Sequence, residues 1–208
     1  MLHSTLINKK KFLIFDFDGT IAATSNIHKK AFEEVFKPFS VEIIYEEIAG
    51  KSTKKAVDFI LKKNNLILNS SKISQLISKK QLLVREFINS KKGLKALPFA
   101  KEFIKYVHSK YYMGIASSGS RETIELSLKK LNLFKYFNLI LCSEDVKSSK
   151  PSPEIFIKIS ELANFPKEQC LIFEDSLNGF KAAKKANMDF IDITKYSYME
   201  IQKLFSDS

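Results

Sequence analysis

The stretch that decides the fold reads Phe12-Leu13-Ile14-Phe15-Asp16-Phe17-Asp18-Gly19-Thr20. Its apolar first half is typical of a buried strand, and two carboxylates one residue apart follow directly. Because a buried carboxylate without compensation is costly, such a pair must be neutralised by a cation, by protons or by basic side chains. Open α/β sheets bind ligands at the carboxyl ends of their strands, so this position favours a functional site.

Length and composition indicate one substantial core, with room for a small accessory domain, in a chain of 208 residues that is 45% hydrophobic. No apolar run is long enough to span a membrane, and residues 1–11 lack the apolar core of a signal peptide. We therefore predict a cytoplasmic protein without membrane contact. Cys142 and Cys170 lie apart in apolar runs, which predicts buried free thiols. The sequence carries no signal for oligomeric state, and a monomer is the default expectation.

The charge balance is basic, with 34 Lys and Arg against 23 Asp and Glu and a net charge of +11. Such a balance raises the question of nucleic-acid binding. However, the lysines are spread along nearly every predicted helix, and no RNA-recognition or helix-turn-helix pattern is present. We predict a solvated basic surface that favours small anionic ligands, with nucleic acid as an unlikely partner.

The order of the predicted elements indicates an α/β body interrupted by a helical insertion. Residues 22–93 show only helical patterning, with helices predicted over 27–36, 43–49, 53–64 and 70–89, the first of them capped by Thr24 or Ser25. Beyond Pro98, predicted strands over 112–116, 139–142, 171–173 and 190–193 alternate with helices over 121–131, 153–163 and 177–187 and near 199. This alternation predicts an α/β fold with a Rossmann-like parallel sheet and helices on both faces, built from residues 1–21 and 94–208.

Acidic, hydroxyl-bearing or basic residues follow four of the predicted strands. They are Asp16 and Asp18, then Ser117 to Ser120, then the segment ending at Lys150, then Glu174 and Asp175. In a parallel sheet these groups gather along one edge. Carboxylates, a lysine and a hydroxyl-rich helix start together describe a site for Mg²⁺ and phosphate. Each segment alone has an ordinary alternative, such as a turn at Asp18-Gly19 or a helix cap at Ser120. Their occurrence together, each after a strand, favours the functional interpretation.

These residues resemble the haloacid dehalogenase superfamily, in its phosphatase and phosphomutase branches. The resemblance covers nearly the whole chain and includes four signature segments in order: Asp16-x-Asp18-Gly19-Thr20, the strand ending at Ser117, Lys150-Pro151, and Glu174-Asp175 before Ser176 and Gly179. Residues 22–93 resemble the small helical cap domain of that family. The dehalogenating branch is disfavoured because it has no need of the second aspartate or of a metal.

The resemblance implies a role for each matching residue. Asp16 would be the nucleophile that forms an aspartyl-phosphate, and Asp18 the general acid and base. Mg²⁺ would be held by Asp16, by the backbone carbonyl of Asp18 and by Asp175, with Glu174 nearby or ligating. Phosphoryl oxygens would be held by Ser117 and the N–H groups around Ser118 and Gly119, and their charge would be neutralised by Lys150.

Substrate contacts are expected from the insertion. Thr24 and His28 lie four residues apart, and hence on one helix face, while Gly50 and Lys51 match a loop that commonly touches substrate in capped members. A purely structural role for His28 is equally compatible with the sequence.

The chain resembles β-phosphoglucomutase at Thr24 and His28 but departs from it beside Gly50. Ala49 and Thr53 stand where that enzyme has a lysine and an arginine, so two cations suited to a second phosphate are missing. We therefore predict a Mg²⁺-dependent phosphatase for a small organic phosphomonoester, such as a sugar phosphate, with a sugar phosphomutase as the alternative.

Overall fold

Five parallel strands form one sheet: β1 (Phe12–Phe15), β2 (Tyr112–Ala116), β3 (Leu139–Leu141), β4 (Cys170–Glu174) and β5 (Asp189–Asp192). The structure, a computed structural model, describes residues 6–90 and 93–206. The strand order is β3-β2-β1-β4-β5, so β1 pairs with both β2 and β4 and the order reverses between β1 and β4. A reversal of this kind opens a crevice at the carboxyl ends of the strands. The predicted α/β fold with a Rossmann-like parallel sheet is confirmed.

Both faces of the sheet are covered, which explains why β1 is apolar at every position. Leu13 and Phe15 belong to one buried cluster, and Phe12 and Ile14 belong to another cluster on the opposite face. The ring of Phe15 stacks on that of Phe173 in β4, with centroids 4.4 Å apart. Strands buried on two sides read as continuous hydrophobic runs rather than as alternating ones.

The insertion contributes α1 (Ser25–Phe36), α2 (Thr53–Lys63) and α3 (Ser70–Asn89) between β1 and β2. These helices share a cluster of buried apolar side chains that includes Phe32, Val57 and Leu76. The helix predicted over 43–49 is wrong. Only the 3-10 turn Tyr45–Glu47 forms there, because so short a segment cannot offset the cost of helix nucleation.

The predicted side-chain cap of α1 is also wrong. Thr24 stands at the N-cap position but has helical backbone angles, and its side chain makes no capping hydrogen bond. The limits predicted for the insertion, residues 22–93, remain a prediction, and residues 91 and 92 lie outside the described part of the chain.

In the described part of the chain, five further helices pack around the sheet: α4 (Ala100–Val107), α5 (Arg121–Lys130), α6 (Glu154–Leu162), α7 (Leu177–Lys185) and α8 (Tyr198–Ser206). The sequence-based prediction missed α4. Its buried residues Ala100, Phe103, Ile104 and Val107 follow the three-and-four spacing of an amphipathic helix, so a signal was present.

Both cysteines are free and buried, and burial raises the thiol pKa of Cys142 to about 12 and that of Cys170 to about 11. Among residues 6–90 and 93–206, no helix combines the length and the apolar character that a membrane crossing requires.

Replacing Phe15 by alanine should destabilise the fold strongly. The side chain is fully buried and contacts Phe173, Phe103 and Phe137, so truncation leaves a cavity that costs about 3 to 5 kcal/mol. Urea unfolding followed by circular dichroism measures the change. Phe134→Ala is the matched control, because Phe134 is 38% exposed and its loss should be mild. Equal effects of the two substitutions would contradict this view of the core.

Candidate active site

Asp16 directly follows β1 and lies at the carboxyl edge of the sheet. Its backbone N–H donates to the carbonyl of Phe173, which continues the strand pairing, and the residue is 7% exposed. The chain then turns at Gly19, whose φ of 82° belongs to the left-handed region. A Cβ at Gly19 would overlap the carboxylate of Asp175, so both the conformation and the space require glycine. Thr20 Oγ1 donates to Asp175 Oδ1 over 3.0 Å and holds that carboxylate against the turn.

Lys150 connects two acidic residues beneath the site. Its ammonium group, without side-chain exposure, donates to Asp16 Oδ1 and to Glu174 Oε2, both at 2.6 Å. Burial opposes the charge, but the two carboxylates outweigh it and raise the pKa of Lys150 above its ordinary value. The other oxygen of Glu174 accepts from the N–H groups of Asp175 and Ser176 and from the Ser176 hydroxyl. Glu174 is therefore engaged through both carboxylate oxygens.

The site carries more negative than positive charge. Asp16, Glu174 and Asp175 each offer a carboxylate oxygen, and these three oxygens lie within 4.8 Å of one another. Burial raises the pKa of Asp16 well above its ordinary value, with Lys150 opposing and the neighbouring carboxylates adding to the effect. Burial and Glu174 also raise the pKa of Asp175. An excess of buried oxygen donors fits a hard divalent cation, which would supply the missing positive charge.

The turn after β2 presents small polar groups to the same edge. Ser117 is fully buried, and its hydroxyl accepts from the N–H of Gly119 over 3.0 Å. Within the described residues the hydroxyl of Ser118 is buried and has no hydrogen-bond partner. Since buried polar groups are normally paired, the Ser118 hydroxyl is free to bind a ligand group.

The insertion closes over this edge and leaves a cavity of about 50 Å³. The sheet side of the cavity is lined by Asp16, Asp18, Ser118, Gly119 and Asp175. The insertion side is lined by Ser25, His28, Phe32, Tyr45, Ile48, Ala49, Gly50, Lys51, Thr53 and Lys80.

Direct contacts hold the insertion on the sheet edge. Asn178 Nδ2 at the start of α7 donates to the carbonyl of Ala49 over 2.8 Å, and Lys55 Nζ donates to the carbonyl of Ser149 over 3.2 Å. Gly50 has a φ of 74°, and a Cβ there would overlap the Ser176 hydroxyl. The loop at Ala49 and Gly50 therefore sits on the turn that follows the acidic residues of β4.

A chain of hydrogen bonds joins the insertion to Asp18. His28 Nε2 lies 3.0 Å from Asp18 Oδ1, and Lys80 Nζ lies 2.7 Å from His28 Nδ1. Lys80 is only 3% exposed and also lies over the ring of Phe32. These partners assign a neutral His28 ring that donates from Nε2 and accepts at Nδ1.

The ionisation of these three groups follows from burial and from one another. Burial lowers the pKa of Lys80 to about 8, and burial together with Lys80 lowers the pKa of His28. Burial alone would raise the pKa of Asp18, but His28 and the hydrogen bond it donates lower that pKa to about 2. Near neutral pH, Asp18 is therefore ionised.

Lys80 was not among the residues singled out from the sequence, although a signal existed. It belongs to a stripe of buried residues that recur every four positions along α3: Leu76, Lys80, Val84 and Ile88. Lysine is almost never fully buried unless it is paired, so a lysine in an apolar stripe indicates a special environment.

The structure brings most of the predicted site residues together. Those that line the cavity are Asp16, Asp18, His28, Gly50, Lys51, Ser118, Gly119 and Asp175. Lys150 and Glu174 lie directly beneath Asp16, and Ser117 lies beneath the Ser118 turn. Thr24 is buried beside Asp18 without lining the cavity, and it helps to lower the pKa of that carboxyl group. The roles of these residues remain predictions.

Comparison with known proteins identifies the family to which this chain belongs. The family model of the haloacid dehalogenase-like hydrolases matches residues 13–193, and the chain belongs to this family. The resemblance stated from the sequence, and with it the prediction of an enzyme, is confirmed.

The chain is also similar to two named phosphatases and to one solved structure. The chain is 29% identical to the fructose-1-phosphate phosphatase YqaB of Escherichia coli, over 87% of this chain and 95% of that protein. It is 28% identical to a phosphorylated carbohydrates phosphatase of Thermotoga maritima, over 86% of this chain and 82% of that protein. The crystal structure of β-phosphoglucomutase from Clostridium difficile superimposes with a TM-score of 0.81 over 95% of this chain and 98% of that one. At 22% identity, the last comparison supports the fold alone.

Replacing Lys80 by methionine should stabilise the protein near neutral pH. Because the pKa of about 8 in the folded state lies below the unfolded value, charged Lys80 costs stability at lower pH, and the cost disappears as both states lose the proton. We expect a gain of about 1 to 2 kcal/mol near pH 7 that shrinks towards about pH 10. Urea unfolding near pH 7 and near pH 10 measures this gain in the free energy of unfolding. The exposed neighbour Lys79→Met is the control, and a gain independent of pH would contradict the explanation.

Proposed function

We propose that this protein is a Mg²⁺-dependent phosphatase that hydrolyses a small phosphorylated carbohydrate through an aspartyl-phosphate on Asp16. The observation that carries the proposal is the buried carboxylate of Asp16, which is ion-paired to Lys150 and lines the cavity beside two further acidic residues. The names of the two relatives from Escherichia coli and Thermotoga maritima support the substrate class.

Asp16, Asp175 and the backbone carbonyl of Asp18 would hold the metal ion. Glu174 is the less suitable direct ligand, because its two oxygens already accept from Lys150, Ser176 and the N–H of Asp175. We assign Glu174 the role of holding Lys150 in place. Mg²⁺, when bound, would neutralise charge on the phosphoryl group and reduce its repulsion from Asp16.

Asp16 has one carboxylate oxygen available for attack. Lys150 engages Oδ1, and among the described residues no hydrogen bond engages Oδ2. Attack on phosphorus forms the Asp16–phosphate bond and breaks the bond from phosphorus to the alcohol oxygen. The Ser118 and Gly119 turn and Lys150 would stabilise the phosphoryl charge during this step.

Asp18 would supply the proton to the departing alcohol oxygen and then accept one from the attacking water. Its low pKa suits the second task. For the first task it must gain a proton, and the negative charge of a bound phosphoryl group would raise its pKa in that direction. Hydrolysis then releases inorganic phosphate and restores the Asp16 carboxylate.

Hydrolysis is favoured over phosphoryl transfer between two positions of a sugar because the cations near the cavity are already engaged. Lys80 is bonded to His28 and Thr53, and Lys51 Nζ donates to the carbonyl of Glu47 over 2.6 Å. A mutase must also hold a second phosphate. A sugar phosphomutase is the second candidate, since Thr24 and His28 match that branch.

We further propose a role for the insertion, a cellular location and an oligomeric state. Residues 22–93 would act as a cap that opens to admit the substrate and closes for catalysis. We also propose a cytoplasmic monomer that acts on free metabolites rather than on nucleic acid. Retention of DNA at physiological ionic strength by a protein without phosphatase activity would contradict it.

Asp16→Asn should reduce phosphate release by more than about a thousandfold, because the amide is a poor nucleophile. The exposed Asp58→Asn serves as the matched control and should keep full activity. Phosphate release is followed with Mg²⁺ present, and the melting temperature shows that each variant is folded. A folded Asp16→Asn protein with near-normal turnover would refute the assigned nucleophile.

A substrate panel should separate the two candidate functions. With fructose 1-phosphate, glucose 6-phosphate and β-glucose 1-phosphate, we expect free phosphate and no isomerised sugar phosphate, as resolved by phosphorus NMR. Chelation of Mg²⁺ should abolish the release, and added Mg²⁺ should restore it. Conversion of β-glucose 1-phosphate into glucose 6-phosphate would instead establish the mutase.

A further inference from the structure

Tyr45 is a polar residue of the cavity to which the proposed chemistry assigns no role. It belongs to the 3-10 turn Tyr45–Glu47 of the insertion and is half-buried. Its ring stacks on that of His28, with centroids 6.5 Å apart and planes inclined by 27°. Burial and the charges of Asp18, Asp175 and Asp16 raise its pKa, so the phenol stays protonated and remains a hydrogen-bond donor.

The Tyr45 hydroxyl has no partner among residues 6–90 and 93–206, in contrast to other donors on the same side of the cavity. Lys80 is bonded to His28 and Thr53, His28 is bonded to Asp18, and Lys51 is bonded to Glu47. Among the described residues, the fully buried side-chain oxygens without a partner belong to Thr24, Ser118 and Ser149, so the Tyr45 hydroxyl is not sealed from water. The unpaired hydroxyl is therefore available to a ligand in the cavity.

The position of Tyr45 indicates which part of a substrate it would meet. The phosphoryl group belongs at the sheet edge, beside Asp16 and the Ser118 turn. Asp18 must reach the oxygen that joins phosphorus to the alcohol, and His28 is bonded to Asp18 from the insertion side. Tyr45 stacks on His28, which approaches Asp18 from the insertion. Tyr45 therefore lies on the insertion side of the cavity, where the alcohol portion of a substrate would be.

We propose that Tyr45 is a specificity-determining residue, whose hydroxyl donates a hydrogen bond to an oxygen of the alcohol portion and so selects polyhydroxylated phosphate esters. This inference rests on the proposed phosphatase function. A site built to hydrogen-bond a substrate hydroxyl rejects an analogue without it more strongly than a purely apolar pocket does, because the buried group is then left unpaired. The ring itself, beside Phe32 and Ile48, supplies an apolar wall.

The test uses two substrates with the same three-carbon skeleton, glycerol 1-phosphate and propyl phosphate, which differ only in two hydroxyl groups. Wild-type protein should have the higher kcat/KM for glycerol 1-phosphate. Tyr45→Phe should lower that value about tenfold, as expected for one lost hydrogen bond, and change the value for propyl phosphate less than about twofold. The preference between the two compounds should therefore fall about tenfold, a change that general misfolding would not produce.

The control variant is Tyr136→Phe, which removes a phenol hydroxyl beside His108 and should leave both values unchanged. An equal loss on both substrates with Tyr45→Phe, or no loss on either, would overturn the proposal while leaving the phosphatase function intact. Equal use of the two compounds by wild-type protein would overturn it without any variant. Wild-type protein that releases phosphate from neither these two compounds nor the sugar phosphates would refute the phosphatase function itself, and the assignment of Tyr45 with it.

Discussion

The site depends on one buried lysine that is shared by two carboxylates. Lys150 comes from the loop that follows β3, Asp16 from the end of β1 and Glu174 from the end of β4, so a single ammonium group ties together three separate parts of the sheet edge. Loss of Lys150 would leave two buried carboxylates without compensation, at a cost of about 3 to 5 kcal/mol. This constraint sets the position of the carboxylate that we propose as the nucleophile.

The same edge also carries charge that the protein leaves uncompensated. The pKa of Asp16 and that of Asp175 are raised, and buried Lys80 has a lowered pKa. Groups of this kind reduce the free energy of unfolding, and they gather where we propose that a cation and a phosphate bind. Their presence is physically consistent with a site whose charges balance only when its ligands are present.

Most of the sheet and its polar edge could be predicted from the sequence, because apolar runs followed by polar residues are local patterns. The errors also have physical causes. The segment predicted as a helix over 43–49 is too short to form one, and Thr24 has helical backbone angles that do not suit a side-chain cap. The buried stripe of α3 marks Lys80 as unusual, but the sequence does not show that this stripe faces the site, and no local pattern shows where the turn at Tyr45 faces.

The sequence by itself determined which acidic, hydroxyl and ammonium groups meet, since parallel strands bring every carboxyl end to the same edge of the sheet. Only the tertiary structure decided which side chains of the insertion face that edge. Contacts such as Asn178 with Ala49 and Lys55 with Ser149 join residues 129 and 94 positions apart. The orientation of His28, Lys80 and Tyr45 over the carboxylates depends on that long-range packing, which no local pattern of residues specifies.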